Sequence, residues 1–328
     1  MMKLKNFILS ALSGTILCSC SAVYETGDLC PQGAKVNLTF CNNMQEKDLY
    51  PAEVHCAKLL LYNGEGNFCG EYEYDKGNSI NIDLPVGSYH AIAYGGMSCE
   101  DADVAFVNPI SAPHSYSELQ TYLKGTRADR ISRNLHPHFY GAADFTVSLE
   151  DMDYTPVAID LTKNTNAIRV VLKYADGTEI DPGNFNFTVA ADNAVSDHAN
   201  AIVKQGRDVI YTPYLTGSES AEGKSPSRNG EDGQSAWADI SVARLTADSK
   251  AQLKVTPKGS TEASIDIELI SYIEKIKNLD TGSGSLQDYL DRQDSWVLEF
   301  NLEPETDRFS GLTFKINNWE MVINSFDL

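Results

Sequence analysis

The chain has 328 residues, 42% of them hydrophobic, and sets 26 Lys and Arg against 46 Asp and Glu for a formal net charge of −20. That length is enough for two domains of ordinary size. A surface of this sign repels phosphate backbones and anionic lipid headgroups, which argues against nucleic acid as a partner.

The first element is a leader. "MMKLKNFILSALSGTIL" starts with Lys3 and Lys5 and continues as a short apolar segment, Phe7 to Leu17, softened by Ser10, Ser13 and Gly14. A helix needs about 20 apolar residues to cross a hydrocarbon core, so this run is too short for a stable span. A basic start, a short apolar core and small residues near a processing site read as a secretory signal over residues 1–19. Lipoprotein processing asks for an aliphatic residue three places before the cysteine and a small one immediately before it. Leu17 and Ser19 meet that demand for Cys20, whereas Cys18 has the bulky Leu17 directly before it. Cys20 is therefore expected to become the first mature residue, its thiol carrying a diacylglycerol and its amine a further acyl chain. One chain anchors weakly and two or three hold firmly. Residues 20–33 then form a lipidated tether.

From Ala34 the apolar period is two, the mark of half-buried strands. In "AKVNLTFC", Val36, Leu38 and Phe40 alternate with Lys35, Asn37 and Thr39. "VHCAKLLLYN", "SINIDL", the strand from Tyr89 to Tyr94 and "AADFTVSLE" extend the series, with a reversal at Pro85-Val86-Gly87 and a helix expected at "SYSELQTYLKG". Charge and a proline interrupt the pattern at "EDMDYTP", which places a boundary between an N-terminal sandwich, 34–154, and a C-terminal one, 155–328. The second unit continues through "VAIDLTKNTNAIRVVLKYADG", "FNFTVA", "WADISVARL", "AQLKVTP", "SIDIELI", "WVLEFNL" and "LTFKINNWEMVI", with short helices at "SYIEKIKNL" and "LQDYLDRQD". Residues 217–236, "GSESAEGKSPSRNGEDGQSA", hold no aliphatic larger than alanine and read as a mobile loop. Many short strands with turn-rich joints predict an all-β chain of two tandem β-sandwiches with short helices.

Five cysteines besides the tether, Cys30, Cys41, Cys56, Cys69 and Cys99, all fall in the first third. An exported chain can form disulfides, and an odd number leaves at least one thiol unpaired. Spacing does not choose among the pairings. Cys30 with Cys99 is preferred here because both lie in turn-like surroundings at opposite ends of the first sandwich. No C-x-x-C pair exists to suggest zinc.

Chemistry is sparse. There is no G-x-S-x-G elbow, phosphate-binding glycine loop or H-E-x-x-H helix, so an enzyme is not expected and no cofactor is implied. His136 and His138 of "HPH" lack evident third and fourth ligands, and a surface or interdomain pair is the preferred reading. "EDAD" (Glu100 to Asp103) and "EDMD" (Glu150 to Asp153) lack EF-hand spacing and read as solvated acidic turns. Trp237, Trp296 and Trp319 could stack sugars, but each sits in a strand-like segment that favours core packing.

In order and spacing, the leader with its cysteine, "DLCPQGAKVNLTF", "LPVGSYHAIAYGG", "IDLTKNTNAIRVVL" and "INNWEMVINSF" resemble the FimB-type, minor-fimbrium anchor subunits of Bacteroidales fimbriae, within the fimbrillin-like lipoproteins. The resemblance spans nearly the whole mature chain. It implies two transthyretin-like β-sandwich domains and a lipid-held base subunit at the outer membrane, which limits fimbrial length and partners the fimbrial shaft subunits by strand exchange. In related shaft subunits a trypsin-like protease cuts after an N-terminal arginine, freeing the subunit from its lipid and opening a groove for a neighbour's strand. This chain has no arginine before Arg127, although Lys35 and Lys47 are open to other proteases. Strand exchange exploits a sheet edge whose N–H and C=O groups lack partners. The candidate edges are the first strand, Ala34 to Cys41 with Val36, Leu38 and Phe40, and the last, Leu312 to Ile323 with Phe314, Ile316, Trp319, Met321 and Ile323. The alternatives are a surface glycan-binding lipoprotein and a fimbrial tip or accessory adhesin.

Overall fold

Alternating burial organises the strands in the computed structural model, which describes residues 32–74, 77–97, 99–108, 115–125, 130–148, 153–219, 235–280, 284–316 and 319–324. The chain begins with β1 (Gly33–Thr39), a short helix α1 (Tyr50–Glu53), β2 (Ala57–Asn63), β3 (Phe68–Tyr74), β4 (Ser79–Asp83) and β5 (Gly87–Gly95). An excursion carries β6 (Val104–Phe106), β7 (Gln120–Leu123) and β8 (Arg130–Ile131). The chain returns with β9 (Phe139–Val147), β10 (Thr155–Asp160) and β11 (Thr162–Lys163). Next come β12 (Thr165–Tyr174), β13 (Phe185–Ala191), β14 (Val195–Asp197), β15 (Val209–Tyr211), β16 (Leu215–Glu219) and β17 (Ser235–Ala243). The C-terminal part holds β18 (Gln252–Pro257), β19 (Ile265–Glu268), α2 (Leu269–Asp280), α3 (Leu286–Arg292), β20 (Ser295–Leu302), β21 (Phe309–Ile316) and β22 (Trp319–Asn324).

Two sheets enclose the first core. A three-stranded sheet in the order β10-β1-β4 packs against a five-stranded sheet in the order β11-β9-β5-β2-β3. Val36, Leu38, Leu59, Leu61, Phe139 and Ile159 meet between them. The second core lies between a six-stranded sheet, β16-β17-β12-β20-β21-β22, and a five-stranded one, β19-β18-β13-β15-β8. Buried Leu269, Ile270 and Ile273 of α2, at helical spacing, join this core. All-β architecture and both C-terminal helices match the sequence expectation.

The small third sheet, β14-β7-β6, was not foreseen. The excursion bearing β6 and β7 covers the outer face of the first unit's large sheet, where Leu60, Tyr62, Ile92 and Tyr94 form a separate apolar cluster. This explains the continuous apolar run of β2, since a strand covered on both faces has no polar side to show. Where "SYSELQTYLKG" suggested a helix, a single 3-10 turn at Tyr116–Glu118 ends in extended Leu119. Gln120–Leu123 then pair with β6 and β14, and ladder pairing overrides a marginal helical pattern.

The unit boundary also differs from the expected one. β10, placed by the sequence at the start of the second sandwich, pairs in parallel with β1, and its Val157 and Ile159 lie in the first core with Leu161. Conversely, β8 pairs with β15, and Leu123, Ile131 and Leu135 belong to the second core. Strand partners far apart in sequence decide this, and local charge does not report them. Residues 217–219 and 235–236 of the expected loop are in the β16–β17 hairpin, while 220–234 lie outside the described residues.

The disulfide is Cys56–Cys99, which overturns the preferred Cys30–Cys99 pair; Cys30 itself lies outside the described residues. Pairing of Ala57 with Gly95 brings the ends of β2 and β5 together, and Gly96 donates its N–H to the Cys56 carbonyl at 2.8 Å. Cys99 follows Gly96 by three residues in sequence. Closing a sequence separation of 43 removes unfolded-state entropy worth about 4 kcal/mol in the chain-entropy account. Reduction is expected to lower stability by up to that amount, measured as a fall in the urea midpoint against the oxidised chain.

Candidate functional site

The candidate edges fare differently. β1 is not an edge. It stands between β10 and β4, with Ala34 to Thr39 paired to Thr155 to Asp160 on one side and Gly33 to Asn37 paired to Asp83 to Ser79 on the other. Val36 and Leu38 are fully buried and Phe40 is 2% exposed, its ring 5.1 Å from that of Phe139 in an edge-on contact. These three side chains fill the first core and offer nothing to a partner. Sequence period reports which side chains face inward but not how many neighbours a strand has, and that is why the edge expectation failed.

The entry to β1 is equally closed. Gly33 has φ +153°, and a Cβ there would sit 1.9 Å from the Ile82 carbonyl oxygen, so only glycine allows this approach of β1 to β4. Gln32 accepts from Leu84 N–H at 3.1 Å, Leu161 N–H donates to the Thr39 carbonyl at 2.8 Å, and Cys41 N–H donates to Asp160 Oδ1 at 2.7 Å.

At the other end of the chain the expected single last strand is a hairpin. β21 is internal, paired to β20 and to β22, with Phe314 opposite Met321, Ile316 opposite Trp319 and Leu312 opposite Ile323. β22 is the outer strand of the six-stranded sheet, with β16 at the opposite margin. One backbone side of β22 therefore lacks a neighbouring strand among the described residues, the geometry that strand addition requires. Cys20 lies outside the described residues.

The two cores meet at a polar junction. Lys163 donates to Glu53 at 2.8 Å and to Asp294 at 2.6 Å, joining the first unit to the second. Arg292 of α3 reaches Glu46 at 3.0 Å, Tyr140 donates to the His198 carbonyl at 2.6 Å, and Asn164 and Asn200 exchange hydrogen bonds at 2.8 and 3.0 Å. His138 is buried here, stacked 6.0 Å from Tyr94 and lining a cavity of about 30 Å³ with Asn164, Asn193 and Arg244. Burial pushes its pKa down to about 4, against a smaller opposing effect of its hydrogen bond to the Gly95 backbone.

The motifs considered for chemistry take structural roles. His136 contacts Asp101 at 2.8 Å and Asp103 at 3.2 Å, well away from the burial of His138, so the "HPH" histidines do not act as a pair. Buried Asp103 accepts from Arg133 at 2.7 Å and from the His136 backbone N–H at 2.7 Å, which makes it a structural hub. Of "EDMD", Asp153 alone is described. Among the described residues no group of three or more His, Cys, Asp or Glu could hold a metal ion, and no helix is long and apolar enough to cross a membrane. Trp296 is buried, and half-buried Trp237 has the Arg169 guanidinium 4.5 Å from its ring centre. That guanidinium is bound at 2.7 and 2.8 Å to Asp239, so neither tryptophan is an open stacking platform for a sugar. Trp319 is placed by its strand position in β22.

A family model described as fimbrillin-A associated anchor proteins Mfa1 and Mfa2 matches residues 27–325. Among solved structures, a candidate adhesin from Bacteroides thetaiotaomicron is 28% identical, with 90% of this chain and 99% of that one covered at a TM-score of 0.79. A candidate polysaccharide-binding protein of the same organism is 21% identical, covering 90% and 99% at 0.74. The fimbrial anchor protein Mfa2 from Porphyromonas gingivalis is 16% identical, covering 90% and 100% at 0.67. The last two likenesses show the fold alone. No curated protein matches the sequence.

Proposed function

Because this chain belongs to the family of fimbrillin-A associated anchor proteins, we propose that it is the anchor subunit of a fimbrium, held to the outer membrane through lipid on Cys20. The family is one of structural fimbrial proteins, and its members associate with fimbrial subunits at the cell surface. In this reading the first sandwich is the base. The shaft subunits join by strand addition at an outer strand, for which β22 is the candidate, and the anchored base limits further growth.

The observation that carries the reading is the state of β1. It is paired on both sides and carries three core side chains, and no arginine precedes Arg127, so cleavage after arginine has no site in or before β1. Removing a central strand would expose apolar core and leave two ladders unpaired, a loss far larger than typical net stability. The connection from Cys20 to the fold therefore survives where a shaft subunit would be cut.

Cys20→Ala tests this, with cell fractionation and imaging of the fimbriae. Fimbriae are expected in the medium, detached and of altered length. Fimbriae that stay on the cells at normal length would overturn the anchor reading, and a wild-type protein that reaches the fimbrial tip without its lipid would favour the adhesin alternative.

A further inference from the structure

We propose that β1 and β10 form a mechanical clamp, a strand pair loaded in shear that carries tension between the membrane tether and the rest of the molecule. The proposal rests on the reading that the N-terminus is the attached end. It follows from the register. The tether enters β1 at Gly33, and the chain leaves β10 at Asp160, passing Leu161 of the first core and the two-residue β11 paired to β9 before it enters β12 of the second unit. The pair is parallel, running from Ala34 opposite Thr155 to Thr39 opposite Asp160. The two loaded ends therefore lie at opposite ends of the pair.

Tension pulls β1 toward its N-terminus and β10 toward its C-terminus, along the strands and across their hydrogen bonds. The six register pairs from Ala34–Thr155 to Thr39–Asp160 are strained together, and none can fail without the others giving way. β1 must also slide past β4, along the five pairs from Gly33–Asp83 to Asn37–Ser79. Its buried Val36 and Leu38, with Phe40 behind them, would have to be drawn out of the core. The same strands loaded from one end would peel, each pair breaking before the next took any load. Beyond the exit of β10, Lys163 is held by Glu53 and Asp294, so the force crosses into the second unit next to a polar tie.

A second exposed end of β1 makes the comparison direct. Cys41 is an exposed, unpaired thiol just beyond Thr39, at the end where β10 leaves. In single-molecule pulling of the mature full-length chain, Cys20→Ser, Cys30→Ser and Cys69→Ser are combined with a handle at the C-terminus. The second handle is placed either on an N-terminal extension, with Cys41→Ser, or on the Cys41 thiol. The length released identifies which unit opened, and the second unit is loaded identically in both geometries. The first unit is expected to open at several-fold higher force from the N-terminal handle than from Cys41, or to outlast the second unit from the N-terminal handle alone. Equal or lower force from the N-terminal handle overturns the clamp. Neither outcome depends on acylation of Cys20 in the cell, so the clamp and the anchor reading fail separately.

Discussion

Phe40→Ala is expected to lower the stability of the first unit by about 3–5 kcal/mol. Phe40 is 2% exposed and meets Phe139 at 5.1 Å between centroids, so truncation removes both its transfer from water and an aromatic contact. The surroundings cannot easily collapse into the space. The Phe40 N–H is held by Asp48 Oδ1 at 2.9 Å, and its carbonyl accepts from Asn43 Nδ2 at 2.8 Å and from Leu49 N–H at 3.0 Å, which fixes the backbone on both sides. Since domains hold about 5–15 kcal/mol in total, the loss consumes much of the margin. Urea unfolding followed by far-UV circular dichroism measures it, because the three tryptophans, Trp237, Trp296 and Trp319, all belong to the second unit and leave the first without a tryptophan reporter. A midpoint equal to that of the wild type would show that Phe40 is not a core residue.

The second large effect is one of pH. Unfolded, His138 titrates near 6.5; folded, burial holds it to about 4. Between these values the unfolded chain binds a proton that the folded chain refuses. Stability is therefore full above about 6.5, falls as pH drops through this window, and has lost roughly 3 kcal/mol by about 4. Around His138, Thr165, Asn164, Asn193 and Ser196 are uncharged, and the cavity lining contains no carboxylate to stabilise an imidazolium. The one charged group there, Arg244, is committed to Asp291 at 2.6 Å and to the Asn200 carbonyl. His138→Phe keeps a ring beside Tyr94 and is expected to flatten this part of the pH slope in urea unfolding between pH 7 and 4. A variant with the wild-type slope would assign the acid sensitivity to other groups.

Much of the fold was legible because the period of two in segments such as "AKVNLTF" and "FNFTVA" is a local property. The helix α2 was legible from "SYIEKIKNL", whereas its first residues, Leu269 and Ile270, read as the end of the strand "SIDIELI". What failed depended on partners distant in sequence. The position of β1 between β4 and β10 needs contacts across roughly a hundred residues, and nothing in Val36, Leu38 or Phe40 announces a second neighbour. The disulfide required the pairing of β2 with β5, which the composition around Cys56 does not reveal. β6 and β7 are too short for periodicity to register. Of the candidate segment Leu312 to Ile323, the part with Phe314 and Ile316 lies in the internal β21, and the part with Trp319, Met321 and Ile323 lies in the outer β22. The division into β21, ending at Ile316, and β22, starting at Trp319, falls in "INNW", which holds no glycine or proline.

The interleaved excursion has a consequence for heredity. An N-terminal fragment long enough to keep β9 and β10, ending at Asp160, would deprive the C-terminal sheet of β8 and the C-terminal core of Ile131 and Leu135. Beginning a fragment at Arg130 would keep those but take β9 and β10 away from the N-terminal sheets. No single crossover can exchange one sandwich between relatives and leave both intact. Recombination must therefore pass the two on as a single heritable piece, and sequence change in either must be compatible with the other's packing.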